Sequence, residues 1–172
     1  MWWWTYPRCI LYPSKVKVSK SMRPYFNQEK YTVSYNTAFE SVISACATLD
    51  RPEQMGTWIN KDIIASYVAL HELGYAHSVE VWKGEELVGG LYGIGMGNIF
   101  YGESMFANAT NASKFGFISL CRKLEDIGIE LIDCQQETPH LLSMGAEMMS
   151  KEAFWDKISA NQAIADQKIR LS

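Results

Sequence analysis

Long hydrophobic runs are absent from this sequence. No run approaches the roughly 20 apolar residues that a membrane-spanning helix needs, although 48% of the 172 residues are hydrophobic. No basic stretch with a small-residue cleavage site stands near the start, so the sequence indicates no secretory signal peptide. Charged residues make up 20%, which is typical of folded proteins. We therefore expect a cytoplasmic protein with one well-packed domain, or a domain with a small appendage.

Metal and disulfide patterns are also lacking. The four cysteines are widely spaced and form no CxxC pair, so they predict neither a zinc site nor a disulfide framework. His71 and Glu72 begin an HExxH motif, but Tyr75 occupies the place of the second histidine. Gly74 would also interrupt the helix that such a motif requires. We expect no bound metal and local hydrogen bonds for the histidines.

Residues 89–97 are rich in glycine but do not fit a phosphate-binding loop. A strand pattern follows them, whereas a phosphate cradle opens onto a helix N-terminus. The RxxGxG/A signature of acyl-CoA binding is missing as well. This argues against an ordinary CoA-dependent acetyltransferase. We expect these glycines to serve a bulge, close packing, or the approach of a ligand to the backbone.

Basic residues are concentrated near the start of the chain. Residues 1–30 hold six Lys or Arg against one Glu, a balance of +5, and the remainder holds 10 basic against 18 acidic residues, −8, which gives the net charge of −3. A basic surface on an acidic body can bind phosphates. An alternative is a solvated face without a partner. The candidate phosphate contacts are Arg8, Lys15, Lys17, Lys20 and Arg23.

Hydrophobic periodicity divides the chain into alternating strands and helices. Three strands at 78–82, 87–95 and 99–106 predict an antiparallel meander, followed by a helix at 113–127 and a buried strand at 129–135. This order is that of an α+β acyltransferase domain. The earlier part predicts strands at 9–12, 15–18 and 31–35, and helices from 37 and from 61, the latter capped by Asn60. Later helices are predicted at 139–145 and from 151 to about 167, with a soft boundary near residue 55.

Two carboxylates stand inside apolar strands. On the strand at 129–135, Asp133 and Gln135 project to one side and Cys134 to the other. On the strand at 99–106, Glu103 is expected to share a face with Tyr101 and Met105. If that face also carries Asp133, the carboxylates and Gln135 converge on one pocket. The alternative is a structural Asp133 that accepts hydrogen bonds from backbone donors.

Two further residues have open interpretations. Ser104 has no histidine and aspartate at a recognisable spacing, so it is not expected to be a nucleophile. Trp58 stands just before the helix cap at Asn60. A tryptophan there is usually part of the core, but at the edge of a pocket it would serve as a stacking surface for a base.

Taken together, these stretches resemble the leucyl/phenylalanyl-tRNA–protein transferase family. The resemblance extends from residue 2 to about 155 with similar spacing. The matching runs are WW at 2–3, PR at 7–8, SKSM at 19–22, GTWI at 56–59, LHELG at 70–74, AHSVEVW at 76–82, LVGGLYG at 87–93, GESMF at 102–106, NASK at 111–114 and LIDCQ at 131–135.

The resemblance implies a fold and an activity. The fold is an acetyltransferase-like (GNAT-type) mixed sheet with flanking helices at 56–172, preceded by a small, shortened N-terminal α/β subdomain at 1–55 that is basic and faces tRNA. The activity moves Leu, Phe or Met from aminoacyl-tRNA to the α-amine of a protein that begins with Arg or Lys, and the product enters N-terminus-dependent degradation. Because the ester is already activated, no cofactor is expected.

The resemblance also implies site residues. Asp133 and Gln135 would be catalytic, with Asp133 polarising both Gln135 and the attacking amine. Trp58 would hold the adenosine end of the tRNA, and Glu103 the ribose or the acceptor's N-terminus. Ser104 belongs to the same substrate-binding motif, and Met105 and Leu91 would line an apolar pocket for the transferred side chain.

Family members usually have a further segment before the WW motif, with an aromatic that helps hold the adenosine. We expect that wall to be absent here or replaced by Trp2, Trp3 or Trp4. Two rival readings are an enzyme of the same fold with another donor, such as CoA or another tRNA, and a non-catalytic protein that binds tRNA or protein N-termini.

Overall fold

The computed structural model describes residues 6–48 and 58–171. These residues form an α+β fold in which helices flank a mixed sheet. The strands are β1 (Arg8–Leu11), β2 (Thr32–Tyr35), β3 (Ala76–Lys83), β4 (Glu86–Met96), β5 (Ile99–Ala107), β6 (Leu131–Gln135) and β7 (Glu147–Met149). The helices are α1 (Arg23–Asn27), α2 (Phe39–Thr48), α3 (Lys61–Glu72), α4 (Ala112–Asp126), α5 (Pro139–Ser143) and α6 (Lys151–Gln162).

The described strands form one sheet in the order β2-β3-β4-β5-β6-β1-β7. Strands β3, β4 and β5 are the predicted antiparallel meander. The one parallel pairing among them joins β5 to β6, because α4 carries the chain across the sheet between these strands. Strand β1 is inserted antiparallel between β6 and β7, so β1 lies beside the segment that carries Asp133.

Both faces of the sheet are covered by apolar clusters. On one face, α4 packs over the inner strands, with Leu91 and Ile118 in the shared core. On the opposite face, α2 and α3 cover Tyr92 and Phe106, and α6 covers a smaller cluster around Ile10 through Phe154. Adjacent residues such as Leu91 and Tyr92 lie in different clusters because side chains alternate along a strand.

Close packing explains part of the glycine-rich segment. A Cβ atom on Gly93 would lie 2.5 Å from the ring of Phe100, a distance that no relaxed structure accommodates. The register of β4 and β5 also shifts at this point, between Tyr92 and Gly93. The predicted roles in a bulge and in close packing are therefore confirmed for this segment.

One local prediction was wrong, and one strand was missed. Residues 15–18 form no strand, because the chain leaves β1 through a 3-10 turn at Pro13–Lys15 that begins with proline. The backbone N–H of Lys17 instead donates to the carbonyl of Met144. Strand β7 was not predicted, since three residues are too few to show a period of two.

The α+β class is confirmed, whereas the division near residue 55 stays a prediction. The predicted boundary lies outside the described residues, and strands from both sides of it belong to one sheet. In the part of the chain that the structure describes, no helix is long and apolar enough to cross a bilayer. The same residues contain no group of three or more His, Cys, Asp or Glu arranged to hold a metal ion.

Candidate active site

The candidate site lies where the two parallel strands separate. The pairing of β5 with β6 ends at Tyr101 opposite Asp133, although β5 continues to Ala107. Beyond that pair, the side chain of Gln135 spans the gap between the strands. Its Nε2 donates to the carbonyl of Gly102 at 2.8 Å and to Oε2 of Glu103 at 3.2 Å. These two bonds fix the plane of the amide.

Asp133 is buried, with a side chain that is 1% exposed. Its carboxylate accepts two hydrogen bonds from Arg8 on β1: Nε to Oδ1 at 2.8 Å and Nη2 to Oδ2 at 2.7 Å. Oδ1 also accepts the backbone N–H of Gln135 at 2.9 Å. The negative charge is therefore compensated inside the protein, which satisfies the requirement for burying a carboxylate.

Gln135 adopts an unusual backbone conformation, with φ of +65°. A non-glycine residue in this left-handed region carries a cost of about 1 kcal/mol, so surrounding contacts must stabilise it. The hydrogen bond from its N–H to the side chain two residues earlier is an Asx turn, which favours such a bend. The register between β1 and β6 also shifts here, between Cys9 and Ile10. Local structure thus turns Gln135 toward Glu103.

Glu103 lies at the irregularity in β5, where Tyr92 pairs with Ser104 but Gly93 pairs with Gly102. Burial raises the pKa of Glu103, and hydrogen bonds from Gln135 and Tyr67 oppose that rise. The predicted convergence of Glu103, Gln135 and Asp133 is thus seen in their contacts. The prediction that Met105 shares this face is wrong, because the extra residue at the irregularity reverses the alternation and Met105 packs in the α4 core.

Tyr67 on α3 completes the site and was not predicted. Burial, followed by the charge of Glu103 and the interaction of the hydroxyl with that carboxylate, raises the pKa of the Tyr67 phenol. Its ring meets Trp58 edge-on at 6.5 Å and Tyr92 at 5.3 Å between centroids. Helical periodicity places Tyr67 on the inner side of α3, which is also where a core tyrosine would lie, so the sequence carries no signal for this contact.

Comparison with known proteins identifies the family. The sequence profile described as "Leucyl/phenylalanyl-tRNA protein transferase" matches residues 10–159. This chain belongs to that family. The resemblance recognised in the sequence is therefore confirmed, and the chain is a transferase.

Curated relatives in this transferase family are similar over most of the chain. A leucyl/phenylalanyl-tRNA–protein transferase of Christiangramia forsetii is 53% identical over 156 residues, which cover 90% of this chain and 74% of the relative. That of Pseudomonas fluorescens is 49% identical and the match covers 90% of this chain and 68% of the relative. That of Nitrosomonas europaea is 44% identical over 97% of this chain and 70% of the relative.

A solved structure shares the fold at much lower identity. A conserved protein of unknown function from Bacteroides thetaiotaomicron superposes with a TM-score of 0.58 at 12% identity, over 80% of this chain and 54% of that one. This likeness concerns the fold alone. It names no fold family, so the GNAT-type assignment stays a prediction.

The remaining residues that the family resemblance pointed to lie in three places. Trp58 is 44% exposed at the start of α3. Leu91 and Met105 face each other across β4 and β5. Leu91 is 3% exposed in the core under α4, and half-buried Met105 packs against that core. Ser104 is half-buried on β5. Trp2, Trp3 and Trp4 lie outside the described residues.

The candidate tRNA contacts differ in how exposed their side chains are. Lys15, Lys17, Lys20 and Arg23 are exposed, as contacts to a nucleic-acid backbone must be. Arg8 differs, because its side chain is 15% exposed and its guanidinium is engaged by Asp133. This geometry disfavours a phosphate contact for Arg8.

Proposed function

We propose that this transferase moves leucine, phenylalanine or methionine from aminoacyl-tRNA to the N-terminal α-amine of a protein that begins with Arg or Lys. Family membership supports the donor and the kind of acceptor. The observation that carries the residue assignment is the hydrogen bond from Gln135 to Glu103, which stands beside the Arg8–Asp133 pair where β5 and β6 separate.

The chemistry asks the protein for orientation more than for strong bases. An N-terminal α-amine has a pKa near 8, so about a tenth of it is neutral at pH 7. That amine attacks the ester carbonyl, a peptide bond forms, and the bond to the ribose oxygen breaks. The proton lost by the amine passes to the leaving ribose oxygen. Holding amine and ester in line supplies most of the acceleration.

Gln135 is the proposed positioning group for the amine. Since Nε2 is fixed by Gly102 and Glu103, the direction of the amide oxygen is set, and that oxygen would accept a hydrogen bond from the amine. An amide is not a base at this pH, so its contribution is geometric. Asp133, which is buried and paired with Arg8, acts through the backbone of Gln135 instead of meeting the amine.

Glu103 is the proposed recognition group for positive charge. It is the carboxylate at the separation of the strands whose hydrogen-bond partners are the neutral side chains of Gln135 and Tyr67. A carboxylate in this setting attracts the cationic side chain or amine of an acceptor that begins with Arg or Lys. An acceptor with an apolar first residue would lack this attraction.

The donor side of the proposal uses the exposed groups around the site. Trp58 offers a face on which the terminal adenosine can stack. Movement of Met105 and Leu91 would be needed to admit the transferred side chain, since both pack in the core. Residues 1–55 would form the tRNA-facing part, with Lys15, Lys17, Lys20 and Arg23 on phosphates. Aminoacyl-tRNA is a cytoplasmic donor, and the product would feed N-terminus-dependent degradation.

The decisive experiment measures transfer of labelled leucine from Leu-tRNA to two peptides that differ only in beginning with Arg or with Ala. We expect label on the Arg peptide and about 100-fold less transfer by a Gln135→Ala variant. The exposed Gln28→Ala variant is the matched control and should retain parent activity. Equal labelling of both peptides would refute the acceptor preference. Binding of Leu-tRNA without any transfer would refute the enzyme assignment.

A further inference from the structure

Arg8 has a geometry that separates it from the other basic residues near the start of the chain. Its guanidinium makes a two-point contact with Asp133, at 2.8 and 2.7 Å, between residues 125 positions apart in the sequence. Its Cζ also lies 5.5 Å from the centre of the Phe154 ring on α6, and Phe154 is buried. The guanidinium is therefore held between a carboxylate and an aromatic face.

The pair connects directly to the amide at the site. Oδ1 of Asp133 accepts from Nε of Arg8 and from the backbone N–H of Gln135. The second bond holds Gln135 in its left-handed conformation, and from there its side chain reaches Gly102 and Glu103. A displacement of the Asp133 carboxylate would be transmitted to the amide plane, because the two residues share one tight turn.

Arg8 also sets the charge balance around Glu103. The negative charge of Asp133 raises the pKa of Glu103, and the positive charge of Arg8 lowers it, both after the larger effect of burial. Without Arg8, the charges of buried Asp133 and half-buried Glu103 would lose this compensating cation. Like charges at such distance disfavour ionisation of both groups.

We propose that Arg8 is a positioning residue for aminoacyl transfer, which fixes Asp133 and through it the backbone of Gln135. This inference rests on the proposed function and changes the role of Arg8 from contacting tRNA to orienting the site. Lysine would not replace it fully, because a single ammonium cannot make the two parallel bonds of a guanidinium fork.

The test compares Arg8→Ala and Arg8→Lys with the parent and with Lys20→Ala, an exposed candidate phosphate contact. Four quantities are measured: kcat, KM for Leu-tRNA, the salt dependence of tRNA binding, and the pH dependence of kcat. We expect Arg8→Ala to lower kcat about 100-fold, as a displacement near 1 Å at the reacting atoms does. KM and the salt slope should stay at parent values, and the acid limb of the pH profile should move to higher pH.

The other variants sharpen the assignment. Arg8→Lys should show an intermediate kcat, whereas Lys20→Ala should weaken tRNA binding and reduce its salt slope by about 1. The exposed Gln28→Ala variant is the control that should keep the parent kcat. Millimolar methylguanidinium should restore part of the kcat of Arg8→Ala, with KCl at the same ionic strength as the control. If Arg8→Ala does not fold, Arg8→Lys carries the test through its kcat and pH profile.

Two results would overturn the inference. The first is a loss confined to KM together with a flatter salt slope in the Arg8 variants, which would make Arg8 a phosphate contact. The second is a parent-like kcat in folded Arg8→Ala. Either result with an active parent leaves the proposed function intact. A parent that transfers no leucine would instead overturn both the proposed function and the role of Arg8.

Discussion

The hydrogen bond between Tyr67 and Glu103 offers a sharp test of the site. Tyr67→Phe removes the hydroxyl and keeps the ring that meets Trp58 and Tyr92 edge-on. Burial raises the pKa of Glu103, and the bond from Tyr67 is one of the contacts that oppose this rise. Its removal should therefore raise the pKa of Glu103 further. The packing of α3 against the sheet should be unchanged.

The size of the effect follows from the energy of the bond. A hydrogen bond to a charged group contributes about 1.5 to 3 kcal/mol, and one pKa unit corresponds to about 1.4 kcal/mol. The variant should thus show a further rise in the pKa of Glu103. If ionised Glu103 recognises the acceptor, activity at low pH falls by about 10-fold or more, and the deficit shrinks as the pH rises.

The assay is kcat/KM for transfer to an Arg-initiated peptide between pH 5.5 and 9. The acid limb of the pH profile should lie at higher pH for Tyr67→Phe than for the parent. Glu103→Gln should lose this limb altogether because an amide does not ionise. Tyr75→Phe, at a tyrosine that contacts Lys168 away from Glu103, is the matched control and should follow the parent. A deficit of Tyr67→Phe that is constant across this range would refute the proposed role of ionised Glu103.

Three further predictions concern binding and stability. Trp58→Ala should raise KM for aminoacyl-tRNA about 10-fold, within the range for loss of base stacking, with kcat near the parent value; an unchanged KM would contradict the adenosine assignment. Burial, reinforced by His71, lowers the pKa of His77 to about 4. The contribution of neutral His77 to stability is therefore complete above pH 6.5, and about 3 kcal/mol of unfolding free energy is lost as the pH falls to 4. In urea unfolding, His77→Gln should flatten this decline, and an equally steep decline would exclude His77 as its source. Buried Glu80 accepts hydrogen bonds from Ser34 and Ser78. Glu80→Ala should therefore lower the free energy of unfolding in urea by about 3 kcal/mol. A loss below about 1 kcal/mol would show that water replaces the carboxylate.

The middle of the chain could be predicted because its signals are local. Strands β3, β4 and β5 are rich in β-branched and aromatic residues, and turns at Gly84 and Gly97 with positive φ separate them. The cap of α3 was also readable, since the Asn60 side chain accepts from the N–H of Ile63. Interior carboxylates at 103 and 133 drew attention for an equally local reason, because a charge in an apolar strand needs a partner.

The partners themselves could not be predicted. The irregularity between β4 and β5 shifts the register by one residue. The two-residue hydrophobic period of a strand does not show where such a shift occurs. It turned Met105 toward the α4 core instead of the face of Glu103. Tyr67 fits both a core position and a site position on the same helical face, so only the tertiary contact with Glu103 distinguishes them.

The position of β1 explains why charge along the sequence grouped Arg8 with the exposed cations. Net charge along a sequence shows where cations are, but their role depends on what lies beside them. Because β1 pairs with β6 in the interior of the sheet, Arg8 meets a buried carboxylate, whereas Lys17 and Lys20 follow the strand and reach solvent. Contact with a buried carboxylate and exposure to solvent are thus divided at the end of β1. In the role proposed above, Arg8 on β1 orients the site, and the exposed cations after the strand remain available for phosphate.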